Sequence, residues 1–239
     1  MFFYYMLIFA IGSIFASFAN LVVLRTIRGE SIVYPPSHCD SCGHKLKAVD
    51  LFPIISYIFL RGKCRYCKSK IPIESFMVEL ILGILLVVIF DFTNILGSIL
   101  IFSGLMFALI IALIDLKTYD IYMNQVAILA IMGIIYRYMS IGFDIKFFYI
   151  ILGFSISYLL IYLISKKGIG DGDIYFYLAL FLFIENEYIG RFVLISIWIG
   201  AIYGVFVFLK HKSVKIEIPF CIFIFMAFLL IVLFRGYPI

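Results

Sequence analysis

Charge is scarce in this sequence. Asp, Glu, Lys and Arg make up 14% of its 239 residues, against about a quarter in an ordinary soluble domain. Hydrophobic residues make up 65%. So little polar surface excludes a soluble globular protein and makes the bilayer the main solvent. A basic leader is also missing. The opening stretch "MFFYYMLIFAIGSIFASFANLVVL" carries no charged lead and is too long for a signal h-region. It reads as a first span that stays in the protein. No low-complexity tract and no internal repeat stands out. The net charge of +5 belongs to topology, because Lys and Arg collect in cytoplasmic loops. No nucleic-acid partner is expected.

What is present is a series of apolar runs, near residues 3–24, 76–92, 96–114, 123–141, 147–165, 174–184, 192–209 and 218–234. They predict an all-α polytopic membrane protein with about eight transmembrane helices. The sixth run is short, since a crossing needs about 20 residues. One polar segment interrupts the pattern. The expected organisation is a first transmembrane helix over 1–24, a cytoplasmic cysteine segment over 25–75 and a membrane core over 76–239. Loop 25–75 is rich in Lys and Arg. Eight crossings put Lys117, Lys166, Lys167, Lys210, Lys212 and Lys215 on the same side, leaving Arg137, Lys146, Arg191 and Arg235 on the other. That alternation places the loop in the cytoplasm and the N-terminus outside.

The polar segment holds Cys39-x-x-Cys42 and Cys64-x-x-Cys67, with 21 residues between the pairs. Two such knuckles make a tetrahedral thiolate site for Zn²⁺. A loop of this size cannot bury a sufficient core alone, and a metal can hold it folded. Gly43 and Gly62 allow tight turns beside the knuckles. The alternative is two disulfides, which a reducing cytosol opposes. Four cysteines complete the tetrahedron, so His38 and His44 are read as polar loop residues and the zinc as structural. Cys221, inside the last run, reads as a small buried apolar residue.

Acids at membrane depth are costly and usually functional. Asp115 ends the third run, and Asp171 and Asp173 open the sixth in "KKGIGDGDIYFYL". All three fall at the cytoplasmic border. Glu79 lies early in the second run, on the same side. Asp120 lies in a polar connection and reads as solvated. Two acids facing a shared water can cleave a peptide: one takes a proton from the water and the other gives one to the scissile carbonyl. Asp115 with one acid of the GDGD run would make such a pair, and the glycines let backbone and substrate approach closely. The plainer reading is interfacial acids paired with Lys117 or Lys166. Proton relays of transporters also use such acids.

Over most of its length the chain resembles the bacterial prepilin peptidases, membrane aspartic proteases of the GxGD type. The resemblance is carried by "IGSIFASFANLVVLR", by "PPSHCDSCGHKL" with "RGKCRYCKSKIPIESFMVEL", by "IDLKT" and by "GIGDGDI". It implies catalytic aspartates at Asp115 and Asp173, with Gly168, Gly170 and Gly172 filling the glycine positions and Asp171 in the variable one. A register starting at Gly168 would select Asp171 instead. The sequence departs from the family at Tyr175, where a lysine is usual, and at Tyr122, where a proline is usual.

The resemblance further implies a substrate, a type IV prepilin or a pseudopilin, cut between its basic cytoplasmic leader and its apolar helix. It implies a location in the bacterial cytoplasmic (inner) membrane. Many such proteins also N-methylate the new terminus with S-adenosylmethionine. No Gly-rich fingerprint supports a cofactor site here, so the cysteine loop and Glu79 are the residues offered for that role. Two alternatives remain: a peptidase without methyltransferase activity, and a zinc-stabilised transporter or scaffold.

Overall fold

The computed structural model describes residues 2–165, 170–212 and 218–234. Among these residues there are nine α-helices, one short 3-10 turn and no strand. The helices are α1 (Phe2–Arg28), α2 (Ile55–Phe59), α3 (Ile73–Ile89), α4 (Ile95–Thr118), α5 (Met123–Ser140), α6 (Ile145–Ile164), α7 (Asp173–Phe181), α8 (Asn186–His211) and α9 (Cys221–Phe234). Each apolar run of the sequence has become a helix, because helical backbone satisfies its own polar groups where no water can. Polar residues set the boundaries. Asn94 caps α4 by accepting the Gly97 N–H, and Asp144 caps α6 by accepting the Phe147 N–H. Tyr119 closes α4 in the left-handed conformation and donates its N–H to the Asp115 carbonyl.

Among the described residues four helices, α1, α4, α6 and α8, are long and apolar enough to cross a membrane. The apolar surface of α6 and α8 is largely uncovered. On α6 only Phe147 is buried, while Leu152, Ile156, Leu160 and Leu163 lie exposed. So much uncovered aliphatic surface suits lipid, not water.

The chain divides into two compact units, Met1–Phe90 and Asp91–Ile239. In the first, α1 packs along α3. Small buried residues of α1, Gly12, Ser13, Ala16 and Ala19, form the seam. In the second unit α4 is the core helix, with α5 and α9 packed against it. Helix α7 packs on α5 and α9, and α8 on α9. The rings of Phe181, Phe192, Phe183 and Phe228 interlock edge to face.

Arg137 departs from the expectation of a charge in an outer loop. It sits in the last turn of α5 and is fully buried. It donates to the carbonyls of Phe181 (3.3 Å) and Ile184 (2.9 Å), and to Asn186 Oδ1 at 2.6 Å. Its guanidinium also lies 3.4 Å from the centre of the Phe147 ring. The last carbonyl of α7, Phe181, and that of Ile184 just beyond it need donors where the helix ends, and Arg137 reaches both. In this way α5 ties down the C-terminal end of α7, whose first residue is Asp173.

Candidate functional site

The two cysteine pairs meet within the first unit. The four Sγ atoms of Cys39, Cys42, Cys64 and Cys67 lie within 4.8 Å of one another. All four are free thiols, and Cys39 and Cys67 are 3.8 Å apart. That is far beyond the roughly 2.05 Å of a disulfide. It is close to the edge of about 3.8 Å that a tetrahedron with Zn–S bonds of about 2.3 Å requires. Four thiols in this arrangement could hold a metal ion and are consistent with zinc. Ser69 Oγ stands 3.1 Å from Cys67 Sγ and 3.7 Å from Cys39 Sγ, where a hydroxyl can steady two thiolates. The N–H groups of Cys42 and then Ser41 hold the Cys39 thiol down at about 6. Neither His38 nor His44 belongs to the cluster. The His44 ring instead lies against that of Tyr66, with centroids 3.6 Å apart.

The knuckles correct one reading of the sequence, because they are an internal repeat. Cys39 N–H donates to the His44 carbonyl, Gly43 N–H to Cys39 and Leu46 N–H to Ser37. Cys64 N–H donates to Ser69, Lys68 N–H to Cys64 and Ile71 N–H to Gly62, at the same spacings. "SHCDSCGHKL" and "GKCRYCKSKI" therefore fold alike. The repeat is carried by backbone bonds around the cysteines, and few side chains agree between the copies. Gly43 and Lys68 occupy equivalent places, both with positive φ, and Gly62 also has positive φ. Asp50 braces the second knuckle, accepting from Arg65 Nε (2.6 Å), Tyr66 Oη (3.1 Å) and the Lys47 N–H (3.1 Å).

The acids converge in the second unit. Asp115 lies in the last turn of α4 and Asp173 opens α7. Both are 6% exposed, whereas Asp171 and Asp120 are exposed to solvent. The two buried carboxylates reach one residue. Asp115 Oδ2 accepts the backbone N–H of Cys221 at 3.0 Å, and the Cys221 Sγ–H points to Asp173 Oδ1 at 3.5 Å. Cys221 is itself fully buried. Three helix ends thus meet: the C-terminal end of α4 and the N-terminal ends of α7 and α9. Helix N-termini present unpaired N–H groups and favour negative charge, so two acids can be held here without a cation. Neither Asp115 nor Asp173 is ion-paired among the described residues. Pairing of Asp115 with Lys117 is therefore not what holds it.

Gly170 leaves Asp173 uncrowded, and Gly172 permits close packing on Ile121. A Cβ at Gly170 would lie 3.0 Å from Asp173 Oδ2, and one at Gly172 would lie 2.9 Å from Ile121 Cδ1. Tyr158 of α6 donates its hydroxyl to the Gly170 carbonyl at 2.6 Å, fixing this turn. Gly168 and Lys166 lie outside the described residues. Tyr175 and Tyr122 are both exposed, 51% and 38%. Glu79 is buried on α3, where Oε2 accepts the Ile54 N–H at 2.8 Å. It lines a cavity of about 200 Å³ with Asn20, Arg28, Asp40 and Ser75. Sequence reasoning missed two residues that bear on the acid site, Cys221 and Arg137. Cys221 opens an apolar run and carried no signal linking it to acids far away in the chain. Arg137 looked like one more loop cation.

Residues 10–92 match the Bacterial Peptidase A24 N-terminal domain, and residues 100–205 match the Type IV leader peptidase family. A relative from Vibrio cholerae is 28% identical over 92% of this chain and 90% of its own length. One from Bacillus subtilis is 25% identical over 90% of this chain and 88% of its own. A third, from Myxococcus xanthus, is 38% identical over 33% of this chain, a match that spans only 23% of that relative. Each of the three is named a prepilin leader peptidase/N-methyltransferase. No solved structure matches the chain.

Proposed function

Because this chain belongs to the type IV leader peptidase family, we propose that it is a membrane aspartic endopeptidase cutting type IV prepilins or pseudopilins, with Asp115 and Asp173 as the catalytic pair. The observation that carries this reading is the burial of both carboxylates against Cys221 while Asp171 stays in solvent. In the reaction, the ionised carboxylate takes a proton from a water and the resulting hydroxide adds to the scissile carbonyl carbon. The protonated carboxyl gives its proton to the carbonyl oxygen. Collapse of the tetrahedral intermediate breaks the C–N bond; the departing amine takes a proton from the acid that received the first, and one hydroxyl of the intermediate returns its proton to the other carboxylate. Gly170 puts no side chain against Asp173 Oδ2, where a substrate backbone would approach, and Gly172 lets the turn pack closely on Ile121.

The substrate's basic leader would stay in the cytoplasm and its apolar helix in the bilayer of the bacterial inner membrane. The alternation of Lys and Arg along the chain supports a cytoplasmic cysteine segment and an outside N-terminus. It also supports the count of eight apolar segments, of which α7, at 9 residues, is shorter than the roughly 20 a full crossing needs. In this division 1–24 is the first transmembrane helix, 25–75 holds the metal and 76–239 carries the peptidase core. Cys39, Cys42, Cys64 and Cys67 would ligate a structural Zn²⁺, leaving no open position for a water.

The relatives' names support a second step, N-methylation of the new terminus. S-adenosylmethionine would supply an electrophilic methyl group. The residues that would hold this cofactor are those lining the cavity beside Glu79, among them Asn20, Arg28 and Ser75, with Arg28 itself paired to Asp40. Incubating the purified protein in liposomes with a prepilin, with and without S-adenosylmethionine, tests both steps by mass spectrometry. Leader release with a methylated new terminus is the expected result. Release without methylation would leave a peptidase alone, and no release would remove the protease reading.

A further inference from the structure

We propose that Cys221 is the positioning residue of the peptidase site, a single residue bridging both catalytic carboxylates. This inference rests on the assignment of Asp115 and Asp173 as the catalytic pair. Residue 221 lies beyond 100–205, the part of the second unit that the family match covers, and nothing in that match gives it a role.

The geometry separates two contributions. The first comes from the main chain. Cys221 is the first residue of α9, so its N–H is one of those a helix start leaves without an internal partner. Asp115 Oδ2 takes it at 3.0 Å. The second comes from the side chain, whose Sγ–H reaches Asp173 Oδ1 at 3.5 Å. Among the described residues, Cys221 donates to both carboxylates. Asp115 is held through Oδ2 and Asp173 through Oδ1. On Asp173 the other oxygen, Oδ2, faces the space kept open by Gly170. Asp115 and Asp173 are on different helices, and α9 packs against both α4 and α7. One residue at the head of α9 therefore fixes the pair's mutual orientation. A thiol suits this place because it is small, tolerates burial and is a weak donor that leaves the carboxylate's basicity available.

The two contributions can be tested apart. Cys221→Ala keeps the N–H and loses the thiol. Cys221→Ser restores a side-chain donor. Cys221→Pro removes both, and proline is well accommodated at the first position of a helix. Prepilin cleavage by protein in liposomes is expected to show kcat lowered about tenfold in the Ala variant with KM unchanged, as loss of one hydrogen bond to a charged group predicts. The Ser variant should return to within about threefold of wild type. The Pro variant should lose about a hundredfold or more. The pH–rate profile should keep its wild-type shape in Ser and be displaced in Ala. Wild-type kcat and profile in the Ala variant would overturn the proposal. So would equal losses in Ala and Ser at unchanged melting temperature, since volume and not donation would then be at stake. If wild type itself failed to cleave, the peptidase assignment would fall first, so the two failures are distinguishable.

Discussion

At the scale of single residues, burial sorts like from like. Asp171 and Asp173 are two positions apart in one glycine-rich turn, yet one is solvated and the other enclosed. The difference arises because α7 begins at Asp173, turning its side chain toward α9. Motif register points to Asp173, the enclosed one of the two. Lys68 offers a test at the same scale. It holds a left-handed conformation where its counterpart in the first knuckle is Gly43. Left-handed backbone costs a non-glycine residue about 1–2 kcal/mol, so Lys68→Gly should strengthen the cluster. The variant is expected to need more chelator than wild type to release its metal, and Lys68→Val less. The repeat behind this prediction was hidden in the sequence. The two copies share cysteines and turn geometry, and most of their other side chains differ.

At the scale of elements, one polar chain secures the helix carrying Asp173. Arg137 at the end of α5 donates to the last carbonyls of α7 and to Asn186 Oδ1. Asn186 in turn donates its amide to Asp144 Oδ1 at 2.7 Å, at the start of α6. Arg137→Met should leave the Ile184 carbonyl short of its donor, while Phe181 keeps the Ile184 N–H, and cost about 1–3 kcal/mol. A thermal melt in detergent should fall accordingly, and cleavage should fall with it. Asp144 gives the pH test. The Asn186 amide, with the Phe147 N–H, holds its carboxyl below the usual range against the opposing effect of burial. A depressed folded-state value stabilises above the unfolded carboxylate value, near about 3.9, and that stabilisation is lost as pH falls through the folded value. Wild type should melt above Asp144→Ala at neutral pH, and the gap should close on acidification below about pH 4. A gap independent of pH would contradict the ionised cap. The helices themselves were readable from apolar runs, because burial or lipid contact demands such runs. Arg137's role was not readable, since a cation in a helix's last turn looks the same whether it meets water or the carbonyls of another helix.

At the scale of the whole molecule, the chain is two compact units, and each gathers its chemistry from distant stretches of sequence. In the first, cysteine pairs separated by 21 residues close around a metal-sized space. That cluster was legible because metal coordination imposes a spacing visible in one dimension. Removing the metal should open residues 37–71 to trypsin, since metal binding and folding of so small a segment are one process. Resistance of metal-free protein to cleavage at Lys45, Lys47, Lys63, Lys68 and Lys70 would contradict a structural ion. In the second unit, Asp115, Asp173 and Cys221 come from three helices. The two acids could be anticipated from their positions at the ends of apolar runs, where charge is costly. Cys221 could not, because only the packing of α9 against α4 and α7 brings it to them. The most direct measurement of the central claim is prepilin cleavage in liposomes by wild type, Asp115→Asn, Asp173→Asn and Asp171→Asn. A buried pair acting on one water predicts that the first two variants lose cleavage by about a thousandfold or more, as losing a catalytic acid or base does. It also predicts that Asp171→Asn stays within a few-fold of wild type. Full activity in Asp115→Asn or Asp173→Asn, or loss in Asp171→Asn alone, would contradict it.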